Sequence, residues 1–192
     1  MKKSILLAFI LLAVASCRET AKPPVDDKEN ARIFVQSFYD WYTALYNAAT
    51  PEKTDVVPAE SVALNKKAEL FDAPLRQAII DDRKAMAKVS DEIVGFDADP
   101  FLNAQDTGFI YLTGNVKQTG DKFYVDVHSD LAGKSRKDIL AADIAVIAEV
   151  TKVNGQWKFI NFIYPSKHDQ ENLLDVLKGL HKERVKSGYE KP

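Results

Sequence analysis

IAVIAEVTKV (144–153), NG (154–155) and QWKFINFIYP (156–165) make up the stretch whose reading decides the fold. Two β-rich runs flank Asn-Gly. Both central residues of a two-residue hairpin turn need positive φ, which Asn and Gly tolerate best. A turn of that length sets the register, with Val153 facing Gln156. Lys152 with Trp157, Val150 with Phe159, Ala148 with Asn161 and Val146 with Ile163 then share one face. Thr151 with Lys158, Glu149 with Ile160, Ile147 with Phe162 and Ala145 with Tyr164 share the other. Near the turn the second face is polar. Far from it both are apolar, so the sheet is expected to be covered on both sides at that end.

A second hairpin is expected upstream, with strands over 109–117 and 123–128 joined through Thr119-Gly120-Asp121. Phe123, Val125 and Val127 alternate there with Tyr124, Asp126 and His128. Asp126 beside His128 is the minimum for general-base chemistry, but it is also an ordinary pair on the wet face of a sheet. With Phe123 and Val127 pointing to the core, the surface pair is the preferred reading.

The hairpins need a helical layer. Asp26 and Glu29 resemble a capping box opening a helix over 27–47. Its apolar face carries Phe34, Phe38, Trp41, Tyr42 and Leu45. A weaker helix is expected over 60–70 and another over 73–88, capped by Asp72 and opened by Pro74. Leu75, Ile79, Met86 and the stem of Arg83 mark its inner side, and DDRK (81–84) reads as a solvated face. A short strand is expected over 92–96 and a polar loop over 131–138, which holds Lys134, Arg136 and Lys137. Ser166 with Asp169 suggests the start of a last helix, with Leu173, Val176, Leu177 and Leu180 as its stripe.

The most unusual segment is DPFLNAQD (99–106), just after Asp97. Asp97, Asp99, Asn103 and Asp106 offer hard oxygens to calcium. Counted from Asp97, however, Leu102 and Gly108 stand where an EF-hand needs Gly and Glu. The preferred reading is a loop pinned by its own side chains, and no metal or other cofactor is expected.

The N-terminus gives an address. Met1-Lys2-Lys3 is a positive n-region, and the apolar run 5–15 is too short to span a bilayer. Val14-Ala15-Ser16-Cys17 resembles a bacterial lipobox, in which cleavage leaves Cys17 to be acylated. The expected organisation is a signal peptide over 1–16, a lipidated Cys17 with a tether over 17–28, and one α+β domain over 29–192. More than one acyl chain gives stable anchoring, so membrane lipid is an expected partner. In a Gram-negative cell, Arg18 after the cysteine, where Asp marks inner-membrane retention, favours the outer membrane facing the periplasm. Cys17 is the sole cysteine. Lipidation consumes it, so the mature domain has no disulfide and no thiolate nucleophile.

The 192-residue chain holds 26 basic and 28 acidic side chains, and Lys2 and Lys3 leave with the signal peptide. That balance argues against nucleic acid as a partner. No nucleophile elbow, phosphate loop, dinucleotide fingerprint or zinc-protease motif is present.

Helices followed by two hairpins resemble the cone of the nuclear transport factor 2-like, or cystatin-like, fold. FYDWY (38–42), DPFLNAQD (99–106) and VNGQWKF (153–159) with Tyr164-Pro165 resemble the bacterial domain of unknown function 3828 family. That resemblance covers about 31–165. It implies N-terminal helices on a curved antiparallel sheet, and small exported proteins that are often lipoproteins. It brings no catalytic residues.

The leading expectation is a non-catalytic envelope lipoprotein that binds an envelope protein partner. The alternative is an aromatic-lined cone that binds or acts on a small apolar molecule. Phe38, Trp41, Tyr42, Trp157 and Phe159 would be its walls, with Tyr39, Asp40 and Asp97 as polar groups. A third reading is an immunity or inhibitor protein.

Overall fold

β3 (Ile144–Val153) and β4 (Gln156–Pro165) pair antiparallel with Val153 opposite Gln156. Asn154 and Gly155 take φ values of 52° and 76°, as the turn requires. The computed structural model describes residues 26–48, 57–88, 95–165 and 170–191. The expected signal peptide, Cys17 and most of the expected tether lie outside them.

The expected register holds through Val150 opposite Phe159 and then shifts. Glu149 faces Asn161, Ala148 faces Phe162 and Ile147 faces Ile163. Ile160 is the extra residue of a β-bulge, and a one-residue shift exchanges the faces. The expected pairs Ala148–Asn161, Val146–Ile163, Glu149–Ile160, Ile147–Phe162 and Ala145–Tyr164 are therefore replaced. Phe162 joins Phe159 among the fully buried side chains, while Ile147 and Ile163 stay half-buried. The bulge moves the second aromatic ring inward, so the strongly apolar outer face does not arise.

β1 (Phe109–Thr119), β2 (Lys122–Leu131) and β5 (Gln170–Asn172) complete a five-stranded antiparallel sheet in the order β1-β2-β3-β4-β5. Further register shifts fall between Thr113 and Val116 and between Val127 and His128. Such irregularities bend a sheet.

α1 (Asp27–Asn47) starts where Asp26 accepts from Glu29 N at 2.9 Å. It lies across β1 and β2. Its buried side chains are Ala31, Val35, Phe38, Tyr39 and Tyr42. The helix is thus turned from the expected orientation, because small Ala31 and Val35 let it sit close. Phe34, Trp41 and Leu45 fall on the border of the core.

α2 (Ala59–Lys66) leads through a 3-10 turn, Ala68–Leu70, into α3 (Ala73–Met86), capped by Asp72 as expected. Phe71 pairs with Phe159, and Asp72 N donates to Phe159 O at 2.9 Å, covering β4 where β5 does not reach.

The expected polar loop over 131–138 runs into a helix, α4 (Arg136–Ala141). Ser135 accepts from Asp138 N at 3.2 Å, a cap readable in Ser135-x-x-Asp138. α5 (Leu173–Lys186) begins at the Asn172 cap and packs on α3 and β4. Ser166 and Asp169, the expected start, lie outside the described residues. So do residues 49–56 and residues 92–94 of the expected short strand, while Gly95 and Phe96 are irregular. No described helix is long and apolar enough to cross a membrane.

Candidate functional site

Residues 99–104 run inward against α1 and β4, and Phe101 and Leu102 are 0% and 1% exposed. The Phe101 ring meets Phe38, Tyr42, Phe71 and Phe162 at 5.1–5.5 Å between centroids. A buried loop has carbonyls that no ladder satisfies, and here tyrosines satisfy them. Tyr164 Oη donates to Pro100 O and Tyr39 Oη to Phe101 O, both at 2.7 Å. Tyr111 Oη reaches Leu102 O and Tyr46 Oη reaches Ala104 O, both at 3.4 Å. Tyr42 Oη bonds the Asp99 carboxylate in a short contact. Five of the chain's seven tyrosines are spent on this segment.

Asp99 caps the inward turn. Its Oδ1 accepts from Phe101 N at 2.9 Å and Leu102 N at 3.0 Å. Burial pushes its carboxyl up to about 7; the charge of Glu60 adds to this, while the Tyr42 phenol and the two backbone N–H groups pull it down. Burial raises the phenols of Tyr39, Tyr42 and Tyr164 well above their ordinary range, so they stay protonated. The candidate calcium oxygens are scattered: Asp99 is committed, and Asp97, Asn103 and Asp106 are exposed. Among the described residues no group of three or more His, Cys, Asp or Glu is placed to hold a metal.

The charge run 81–84 is only in part the expected solvated face: Asp81 and Lys84 are exposed, but Asp82 and Arg83 turn inward. Asp82 is 2% exposed and pairs through Oδ1 with Arg184, itself 4% exposed, at 2.6 Å. Asp82 Oδ2 accepts from Phe96 N at 3.0 Å. Arg83 donates to Phe96 O at 3.0 Å and Ala98 O at 3.1 Å, and pairs with the buried Glu60. α3 thus clamps the chain leading to Asp99, and Arg184 ties α5 to that clamp. The signal was available: Asp82 follows Leu75 by seven and Ile79 by three, inside the apolar stripe, where a charge needs a partner. Between α3 and α5 lies a cleft of about 360 Å³ whose rim mixes Asp81 with Lys84, Lys88 and Lys178.

Asp126 and His128 sit on the same side, both beside Gly114, but that side is not the expected wet face. His128 is only 9% exposed, with Nδ1 2.8 Å from Ala142 O at the end of α4. Gly114 lies beneath the ring, and a Cβ there would come 2.7 Å from Nε2. Burial raises the Asp126 carboxyl, opposed by the charge of His128 and a bond from Asn115.

The candidate cavity residues separate. Phe38, Tyr42 and Phe159 are 3%, 0% and 0% exposed and pack around one another, with Phe101 against Phe38 and Tyr42. Tyr39 is buried under Phe101 O. Asp40 is exposed and accepts from Gln36, while Asp97 is exposed beside Gln105.

Trp41 and Trp157 remain half-exposed, on a strip that Phe34 joins. Phe34 stacks 6.4 Å from Trp157, and with Phe38, Trp41, Lys67 and Leu70 it lines a shallow groove of about 280 Å³. The Lys67 ammonium lies 5.7 Å from the Trp41 ring and that of Lys152 lies 5.0 Å from Trp157. Lys152 also pairs with Asp27 at 2.5 Å. The chain matches no family model, no curated protein and no solved structure.

Proposed function

We propose that this chain is a lipid-anchored envelope protein, held through an acylated Cys17 on the periplasmic side of an outer membrane. Its folded domain acts as a non-catalytic interaction module for an envelope protein. One observation carries the second half. Phe101 and Leu102 occupy the interior that an aromatic-lined cavity would need, which leaves the outer surface of the domain to act. Asp82, Asp99 and Glu60 are committed to Arg184, backbone N–H groups and Arg83, which supports a structural role for them. The helix-then-meander order, with α1 across β1 and β2, supports the nuclear transport factor 2-like cone and the family resemblance as the fold reading.

Crosslinking the full-length protein in cells, followed by mass spectrometry of the membrane fraction, tests the module. One envelope protein recovered in stoichiometric amount is expected. Recovery of no protein, with a retained small molecule in native mass spectrometry, overturns it. Cys17→Ala is expected to move the protein out of the membrane fraction, and retention there rules out the anchor.

A further inference from the structure

We infer that the strip formed by Phe34, Trp41, Leu70 and Trp157, with Lys67 and Lys152, is the surface on which the anchored domain rests against the lipid bilayer. The inference builds on the anchored reading and adds an orientation to it.

The first argument is where the chain enters the domain. The described chain begins at Asp26, the cap of α1. The next residue, Asp27, pairs with Lys152, whose ammonium lies over Trp157. The tether therefore arrives at the Trp157 end of the strip. Residues 18–25 span at most about 28 Å when fully extended, so acylation at Cys17 holds this end within about a domain's width of the headgroups.

The second argument is chemical. Tryptophan rings are favoured at headgroup depth, where the apolar body meets hydrocarbon and the indole N–H stays wet. Lysines at the rim lay their stems on apolar surface and lift their ammoniums toward phosphate. Each lysine near an anionic surface adds attraction. Both of the chain's tryptophans are on this strip, and each has a lysine ammonium over its ring. A domain seated this way turns its remaining surface toward the envelope partner.

Those two tryptophans make the test direct. The full-length acylated protein is reconstituted into phosphatidylethanolamine–phosphatidylglycerol vesicles with plain or brominated acyl chains. Trp41→Phe and Trp157→Phe each leave one indole as reporter, and flotation reads the anchor independently. In brominated vesicles each indole is expected to lose emission by about twofold or more. Protein that floats with equal emission in both vesicles overturns the proposal while leaving the anchor intact. Shielding that appears only as the protein-to-lipid ratio rises assigns the strip to a second copy and also overturns it. Protein that fails to float rejects the acylated Cys17, and the orientation with it.

Discussion

Two aromatic clusters in this chain have opposite fates. Around residues 99–104 the rings face inward, and five tyrosines end on one short segment. Along Phe34, Trp41 and Trp157 the rings are half-exposed beneath two lysines. Hydrophobicity alone does not sort them. A loop driven into a core brings carbonyls that need donors, and phenols supply a donor on a large apolar body. The inner cluster is built by hydrogen-bond demand. The outer one is built from rings without that duty, and those are the ones free to meet another surface.

The sharpest way to break this contrast is to remove a ring from each cluster. Phe101→Ala is expected to cost about 5 kcal/mol in denaturant unfolding, because its walls are rings on separate elements that cannot all collapse. Trp41→Ala, on a half-exposed border, is expected to cost well under half of that. Equal losses would show that the strip is core and not surface.

Asp99 gives the next largest effect, through pH. Its folded carboxyl titrates near 7, against an ordinary 3.8 when unfolded. Below about pH 4 both states are protonated and the stabilisation is complete. Between there and pH 7 the folded state holds a proton that the unfolded state has released. Stability therefore falls as pH rises, by about 4 kcal/mol in all. Asp99→Asn keeps acceptors for Phe101 N and Leu102 N and removes the charge. Its stability is expected to run flatter than wild type across that window. An unchanged slope would assign the pH dependence to other groups, of which Asp126 is one also raised by burial.

Much of the fold is legible in the sequence, and the reasons are local. Asn154-Gly155, the Asp26 and Asp72 caps and the period of α1 are each set by a few neighbouring residues. The bulge at Ile160 was not legible, since nothing in QWKFINFIYP marks an extra residue; only the partner strand and Phe101 behind it decide which ring turns in. The buried segment 99–104, which plugs the interior, was half legible. DPFLNAQD reads as a pinned loop with a capping Asp, but the donors that hold it come from residues 39, 42, 46, 111 and 164, and distance along the chain hides them. The candidate walls failed to converge for the same reason: spacing places Phe38 and Trp41 on one stripe but cannot say that the helix turns until only Phe38 is inside.

Arg184 tests the frame around the inner cluster. Arg184→Met leaves the Asp82 carboxylate buried with Phe96 N as its remaining partner, and is expected to cost about 3 kcal/mol. Adding Asp82→Leu removes the stranded charge and is expected to recover most of the loss. A double variant no more stable than the single one would mean that α5 is held by packing at Leu173 and Leu177 and not by the ion pair.

The smallest effect asks whether hydrogen bonds or ring shapes pin the plug. Tyr164→Phe removes a donor 2.7 Å from the buried carbonyl of Pro100. The expected cost is about 1–2 kcal/mol, the penalty of leaving a buried acceptor unpaired. Tyr46→Phe removes a half-buried donor at 3.4 Å from Ala104 O, where water can take its place, and the expected cost is only about a few tenths of a kcal/mol. The two variants delete the same atom from the same residue type; one takes the donor from Pro100 O, whereas Ala104 O keeps Asp99 N at 3.0 Å, so their difference reads the penalty of stranding a buried carbonyl. If hydrogen-bond demand built the inner cluster, the gap between them should track burial. If both cost nothing, phenylalanine would have served equally at these positions, and the inner and outer clusters would differ only in which side of the helix they fell on.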